Sequence, residues 1–194
     1  MPDTTIHERM KRSAKDFWND IRPLLEPNLN ATIHPLELLQ RNELVDAFDQ
    51  VGIDAFSVNK HGYLQGLASR MQYTRYAEQH PVFTFRYALW NYRRNNWDFN
   101  REYERKLYAV NHPDDAIMCP HYHVESCKRE GNVKWSYITK TADVMRYIEA
   151  NLEDDKKIHV FEPRTKEKRL VLSVSIPEYE KHCEISSIVE ECNA

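Results

Sequence analysis

Apolar positions near the start of the chain recur every three or four residues. Ile6, Met10, Ala14, Phe17, Ile21 and Leu24 follow a Thr5-Ile6-His7-Glu8 capping-box signature, which predicts a helix ending at Pro27. The irregular run EPNLNATIHP comes next. A second helix is expected over 36–50, with Leu38, Leu44, Val45 and Phe48 on its buried face. The period then shortens to two. VGIDAFSV, a turn at Asn59 to Gly62, YLQGLASRMQY and, after a polar break, VFTFRYALW read as three successive strands and predict an antiparallel meander.

From Asp98, an expected N-cap, Phe99, Tyr103, Leu107 and Val110 form one stripe of a helix whose other faces hold Arg101, Glu102, Glu104, Arg105 and Lys106. Beyond Pro113, CPHYHVESCK and VKWSYITK flank the turn REGN, a helix runs from Thr141 to about Asn151, and KIHVFEP with RLVLSVSI makes a last hairpin. The order α, α, β, β, β, α, β, β, α, β, β predicts an α/β (α+β) protein whose central mixed sheet is flanked by helices. Without repeats, low-complexity tracts or a linker, the pattern implies one domain over 1–194. Its parts are an N-terminal helical segment (1–35), a core (36–127) and a hairpin, helix and C-terminal strands (128–194).

Composition narrows the picture by exclusion. With 194 residues the chain can bury a core of its own, and its four cysteines show no C-x-x-C spacing, as expected of reduced thiols in a cytoplasm. The charged start has no apolar signal region, and no run is long enough to cross a bilayer, so a cytoplasmic protein without a membrane partner is expected. A net charge of −3 gives no global basic field. The four glycines form neither G-x-G-x-x-G nor G-x-x-x-x-G-K-[ST], which argues against nucleotide-binding enzymes of those classes.

Two polar residues interrupt the strand pattern. Asp54 shares a face with Phe56 and Val58, while Arg70 and Gln72 share one with Leu64, Gly66 and Ala68. A carboxylate beside apolar neighbours needs a cation, a metal or several donors. One reading pairs Asp54 with Arg70 across the strands. The other places a hard divalent ion there, held by the carboxylate, an amide carbonyl, main-chain oxygen and water, able to polarise a phosphodiester and activate a water.

The run of helix, Asp-bearing strand, turn, strand ending near Gln, strand, helix and strand, over about Leu36 to Cys127, resembles the core of the restriction-endonuclease-like, or PD-(D/E)XK, nuclease superfamily. The resemblance implies a nuclease that hydrolyses phosphodiester bonds in DNA or RNA with Mg²⁺ or Mn²⁺. Asp54 and Gln72 would hold the metal, Asp49 would add an outer ligand, and Arg70 or Arg86 would stabilise charge on the phosphate. The (D/E)-x-K unit is degenerate: with Gln72 in the acidic position the Lys falls on Thr74, and with Gln72 in the Lys position Arg70 stands where the acid belongs. A non-catalytic descendant that binds nucleic acid or protein is the alternative. Compact nucleases of this kind resemble those of phage, plasmid or defence systems, and those that cut both strands pair, so a homodimer fits the same reading.

TFRYALWNYRRNNWDFNREYERK interleaves Arg86, Arg93, Arg94, Arg101, Arg105 and Lys106 with Tyr87, Trp90, Tyr92 and Trp97, a mixture suited to phosphate contact and base stacking. Arg93, Arg94 and Trp97 are the nucleic-acid candidates there. In CPHYHVESC, one strand face carries Cys119, His121, His123, Glu125 and Cys127, with the imidazoles roughly 7 Å apart. That face is expected to be half-exposed, with polar groups in water. Alternatively, His121 or His123 faces a substrate channel and binds phosphate, or the two chelate zinc or iron with a third ligand. A cupin-like oxygenase would need more strands and more glycine.

Overall fold

The computed structural model describes residues 6–36, 43–114, 119–163 and 168–190. Helix α1 (Ile6–Asp16) passes through one π-helical turn (Phe17–Ile21) into α2 (Arg22–Leu29), beyond the expected stop at Pro27. Pro23 has no N–H, and its ring crowds the carbonyl four residues back. The wide turn accommodates it, with the Arg22 N–H reaching Phe17 O. Asn30, left-handed at φ 48, closes the helix. Phe17, Ile21 and Leu25 lie four apart and form its buried side.

Two sheets follow. Sheet A has the order β1-β2-β3-β6-β7-β10: β1 (Ala31–Pro35), β2 (Ala55–Asn59), β3 (Leu64–Gln72), β6 (Tyr122–Arg129), β7 (Asn132–Lys140) and β10 (Ser186–Glu190). Sheet B has the order β5-β4-β9-β8: β4 (Val82–Asn91), β5 (Asn96–Asp98), β8 (Ile158–Phe161) and β9 (Arg169–Ser175). Between them run α3 (Glu43–Gln50), α4 (Arg75–Gln79), α5 (Glu102–Asn111), α6 (Thr141–Asn151) and α7 (Ile176–Glu180). This is mixed α+β architecture, as the element order predicts. Part of the expected 36–50 helix, residues 37–42, lies outside the described residues.

The expected meander is replaced by a crossover. β2 and β3 pair antiparallel, but the other neighbour of β3 is β6, and it is parallel. The reason lies between β3 and β4, where Thr74 accepts the Ala77 N–H and starts α4. A nine-residue excursion with its own helix, Tyr73 to Pro81, is no hairpin turn, and β4 enters sheet B. Where the link is short, the pattern holds. Glu130 (φ 54) and Gly131 (φ 86) are both left-handed, as a two-residue hairpin turn between β6 and β7 requires.

β1 occupies the second half of the stretch expected to be irregular, and β10 and α7 extend the chain past the expected last hairpin. One face of sheet A, with Ala55, Leu67, Val124 and Ile138, packs on Phe17, Ile21 and Leu25. Over the other face lie Phe83, Phe85, Leu172 and Val174 of sheet B and Val144, Met145 and Ile148 of α6, in one cluster with Cys127, Trp135 and Tyr137. Each of these large buried side chains contributes about 1.5–3 kcal/mol. The polar residues of interest sit on this second face, sealed at His123 and Glu125 and open to solvent at Asp54. Among the described residues no helix is long and apolar enough to cross a membrane.

Candidate functional site

Strand register aligns the polar residues in rows. Ala55 pairs with Leu67, so Asp54, one step earlier, stands opposite Ala68; its N–H donates to Leu67 O at 2.8 Å. Across the parallel pair, Ala68 faces His123, Arg70 faces Glu125 and Gln72 faces Cys127. Residues two apart on a strand share a face. Asp54, Ala68 and His123 therefore form one row, and Arg70 with Glu125 the next. Ala68 carries only a methyl, which leaves the space above it to α5.

Helix α5 fills that space with charge. Glu102 and Lys106 are four apart, on one side of the helix, and both are buried, Lys106 completely. Lys106 Nζ donates to Glu102 Oε1 at 2.7 Å. Arg70 Nη2 pairs with Glu102 Oε2, and the Arg86 N–H and Nε reach the same oxygen at 3.3 and 3.4 Å. Burial works to raise the Glu102 carboxyl, but Arg70, Lys106 and Arg86 outweigh it and hold it well below the usual range. Gly52, at φ 75, lies against this pair: a Cβ there would meet Glu102 Oε1 and Lys106 Nζ, each at 3.4 Å. The loop leading into Asp54 is thereby seated on α5.

Asp54 is the open member of the group. Its Oδ2 accepts the Ser69 N–H at 2.7 Å, and its Oδ1 has no partner among the described residues. The side chain keeps contact with solvent while protein crowds around it. That crowding pushes the carboxyl up to about 6, opposed by the Ser69 N–H, Lys106 and Arg70 and reinforced by Glu102. Of the cations on Glu102, Arg86 is exposed and the Arg70 guanidinium is partly so.

The neighbouring carboxylate is closed. Glu125, fully buried, accepts from Gln72 Nε2 (2.7 Å), Thr84 Oγ1 (2.7 Å) and Thr84 N–H (3.0 Å), and its Oε2 lies 3.1 Å from His123 Nε2. His123 is packed against Phe85 and Phe83, with ring centroids 4.6 and 5.6 Å away, and burial lowers its pKa.

The expected residues are thus divided. Asp54, Arg70 and Arg86 meet around Glu102, and no direct Asp54–Arg70 pair forms because Glu102 holds the guanidinium. Gln72 shares the face but stands four residues beyond Ala68, roughly 13 Å along the strand. Its amide is spent on Glu125 and on Val82 O. The expectation of a half-exposed histidine strand is corrected: His123, Glu125 and Cys127 have no exposed surface, and His123 has none to offer nucleic acid. Sheet B covers what the alternation alone would leave in water. His121 is exposed, and its Nδ1 accepts the Gly66 N–H at 3.2 Å. Arg93 and Arg94 are exposed in the β4–β5 turn, and Trp97 is half-buried against Trp90. The side chain of Asp49 lies outside the described residues.

Glu102 and Lys106 are the functional candidates that the helix stripe misassigns to polar faces. Their signal is the four-residue spacing itself, followed three residues on by Ala109, also buried. Among the described residues no group of three or more His, Cys, Asp or Glu side chains is arranged to hold a metal ion. Set against protein-family models, curated proteins and solved structures, the chain matches none.

Proposed function

We propose that the chain acts on nucleic acid and hydrolyses a phosphodiester bond at the centre formed by Asp54, Glu102 and Lys106. The observation that carries this reading is the uncommitted Oδ1 of Asp54, at the edge of solvent and within the field of Lys106, Arg70 and Glu102. The resemblance asks for a second acid and a lysine on β3, where register puts Ala68 and Arg70 opposite and just past Asp54. α5 brings a carboxylate and an amine to the same volume.

Of the two carboxylates, the hard oxygen ligands that Mg²⁺ or Mn²⁺ take, Asp54 has Oδ1 free, whereas Glu102 would have to release Lys106 or the arginines to join it. Such an ion, when bound, polarises a phosphoryl oxygen and acidifies a water. The protein's own part is separate. Arg86, exposed and anchored by Glu102, can meet a phosphate oxygen, and Arg70 adds positive charge behind it. Asp54, pushed up to about 6 by crowding, is still ionised at neutral pH and able to offer Oδ1 to the ion. Lys106 holds Glu102 in place and favours the ionised Asp54.

The test is incubation of labelled single- and double-stranded DNA and RNA with Mn²⁺, wild type beside Asp54→Ala. The reading expects cleavage that the substitution abolishes. Equal cleavage by both proteins ends it. No cleavage by either favours a second reading, binding without hydrolysis, which is supported by the three cations already on Glu102 and by the engagement of Gln72 with Glu125.

A further inference from the structure

The β4–β5 hairpin carries features that neither core nor sheet explains. Trp90 and Trp97 face each other across it at 5.3 Å, and Lys168 lies over the Trp90 ring at 3.8 Å. The Trp90 N–H donates to Lys168 O at 3.0 Å, fixing that residue at the base of the tip. In the turn, Asn91 Oδ1 accepts the N–H groups of Arg93 and Arg94, each at 3.1 Å, and Asn95 is left-handed at φ 51. The tip is therefore braced from inside. Its outward side chains are Tyr92, 71% exposed, and two guanidiniums. Among the described residues no carboxylate pairs with Arg93, Arg94 or Lys168; Asp98, the nearest acid on the hairpin, is taken by Arg101 at 2.6 Å.

We infer that this tip is a docking platform for single-stranded nucleic acid, an inference that rests on the reading of the chain as acting on nucleic acid. Arg93, Arg94 and Lys168, without acidic partners among the described residues, complement a phosphate chain. An aromatic ring held in water gains most from a base that is not already stacked in a duplex, which selects unpaired strands. β4 links the platform to the centre. Arg86, on Glu102, and Asn91, at the turn, are five residues apart, roughly 16 Å. An unpaired strand crosses that distance in a few nucleotides, so one strand can touch both places.

The experiment measures binding of fluorescent single-stranded and duplex DNA and RNA of one sequence in EDTA, over a salt series. Variants are Tyr92→Ala, Arg93→Ala with Arg94→Ala, and Lys60→Ala as a control in the exposed β2–β3 turn. Wild type and the Lys60 variant are expected to prefer the single strand. Tyr92→Ala should weaken single-strand binding about five-fold or more and leave duplex binding nearly unchanged. The double arginine variant should weaken both and lower the single-strand salt slope by about 1.4. Variants that bind like wild type, a wild type that prefers duplex, or a wild type that binds nothing each overturn the platform. Mn²⁺-dependent cleavage lost in Asp54→Ala would in each case still stand for the centre, and single-strand binding without cleavage would keep the platform and remove the hydrolysis.

Discussion

Two carboxylates on neighbouring elements illustrate different ways to bury an acid. Glu125 receives its hydrogen bonds from an amide, a hydroxyl and a main-chain N–H, with His123 alongside, and is sealed between the sheets. Glu102 instead collects Lys106, Arg70 and Arg86, two of them reaching solvent, and stands beside Asp54, whose second oxygen is open. The first arrangement has no capacity left for a ligand. The second holds charges that a phosphate could rearrange. Closeness to β3 is common to both; what separates them is the covering element, β4 over Glu125 and the start of α5 over Asp54.

Substitutions should separate the networks by size and by pH. The largest effect is expected from Glu102→Ala, which strands the Lys106 ammonium in a fully buried site: about 3–5 kcal/mol of unfolding free energy, read by urea denaturation. Adding Lys106→Met should return a large part of that loss, and a double variant no better than the single one would show that the buried amine is not what Glu102 supports. Glu125→Gln should cost less, about 1–3 kcal/mol, because the new amide must turn an N–H₂ toward one of the donors that now serve the carboxylate. A loss as large as that of the Glu102 variant would erase the contrast between them.

Asp54→Asn should be stabilising and pH-dependent. Asp54 titrates near 6 in the folded chain against an ordinary value of 3.8, so the folded state favours its protonated form. The stability this contributes is complete below about pH 4 and is lost as pH rises through about 6. The Asn variant, still able to accept the Ser69 N–H, should lack this dependence and gain about 1 kcal/mol at pH 7, a figure kept small because Asp54 touches solvent. Parallel stability profiles of the two proteins from pH 4 to 7 would remove the premise of a crowded carboxylate. The smallest effect is expected from Gln72→Met, about 1 kcal/mol for one donor to Glu125, with Mn²⁺-dependent cleavage retained. Loss of cleavage without loss of stability would return Gln72 to the metal site.

Much of the fold was legible wherever a signal is local. The hairpin turn at Glu130-Gly131, the strand alternation at Phe83 and Phe85 and the four-residue spacing of Phe17 and Ile21 all appear where pattern places them. The N-terminal helix overran Pro27, against propensity, as the π turn accommodates Pro23 and Phe17, Ile21 and Leu25 pack on sheet A. At the site, the Asp54 anomaly and the common face of Arg70 and Gln72 followed from alternation within each strand. Register with Ala68 did not, and it alone moves Gln72 out of reach. Glu102 and Lys106 were hidden because a charged pair at that spacing is ordinary on a solvated helix; only what packs above the helix makes it buried.

The amino-acid order thus determined the type of most helices and strands, the hairpin turn at Glu130-Gly131 and the acid that stands just before β2, since these depend on backbone preferences and side-chain periodicity within a few residues. Tertiary structure decided that β3 takes β6 as its parallel neighbour, that the histidine strand is sealed, and that α5 supplies the counter-charges of Asp54. Those outcomes depend on which distant surfaces exclude water from one another, and burial converts the same side chains from solvated charges into a coupled cluster.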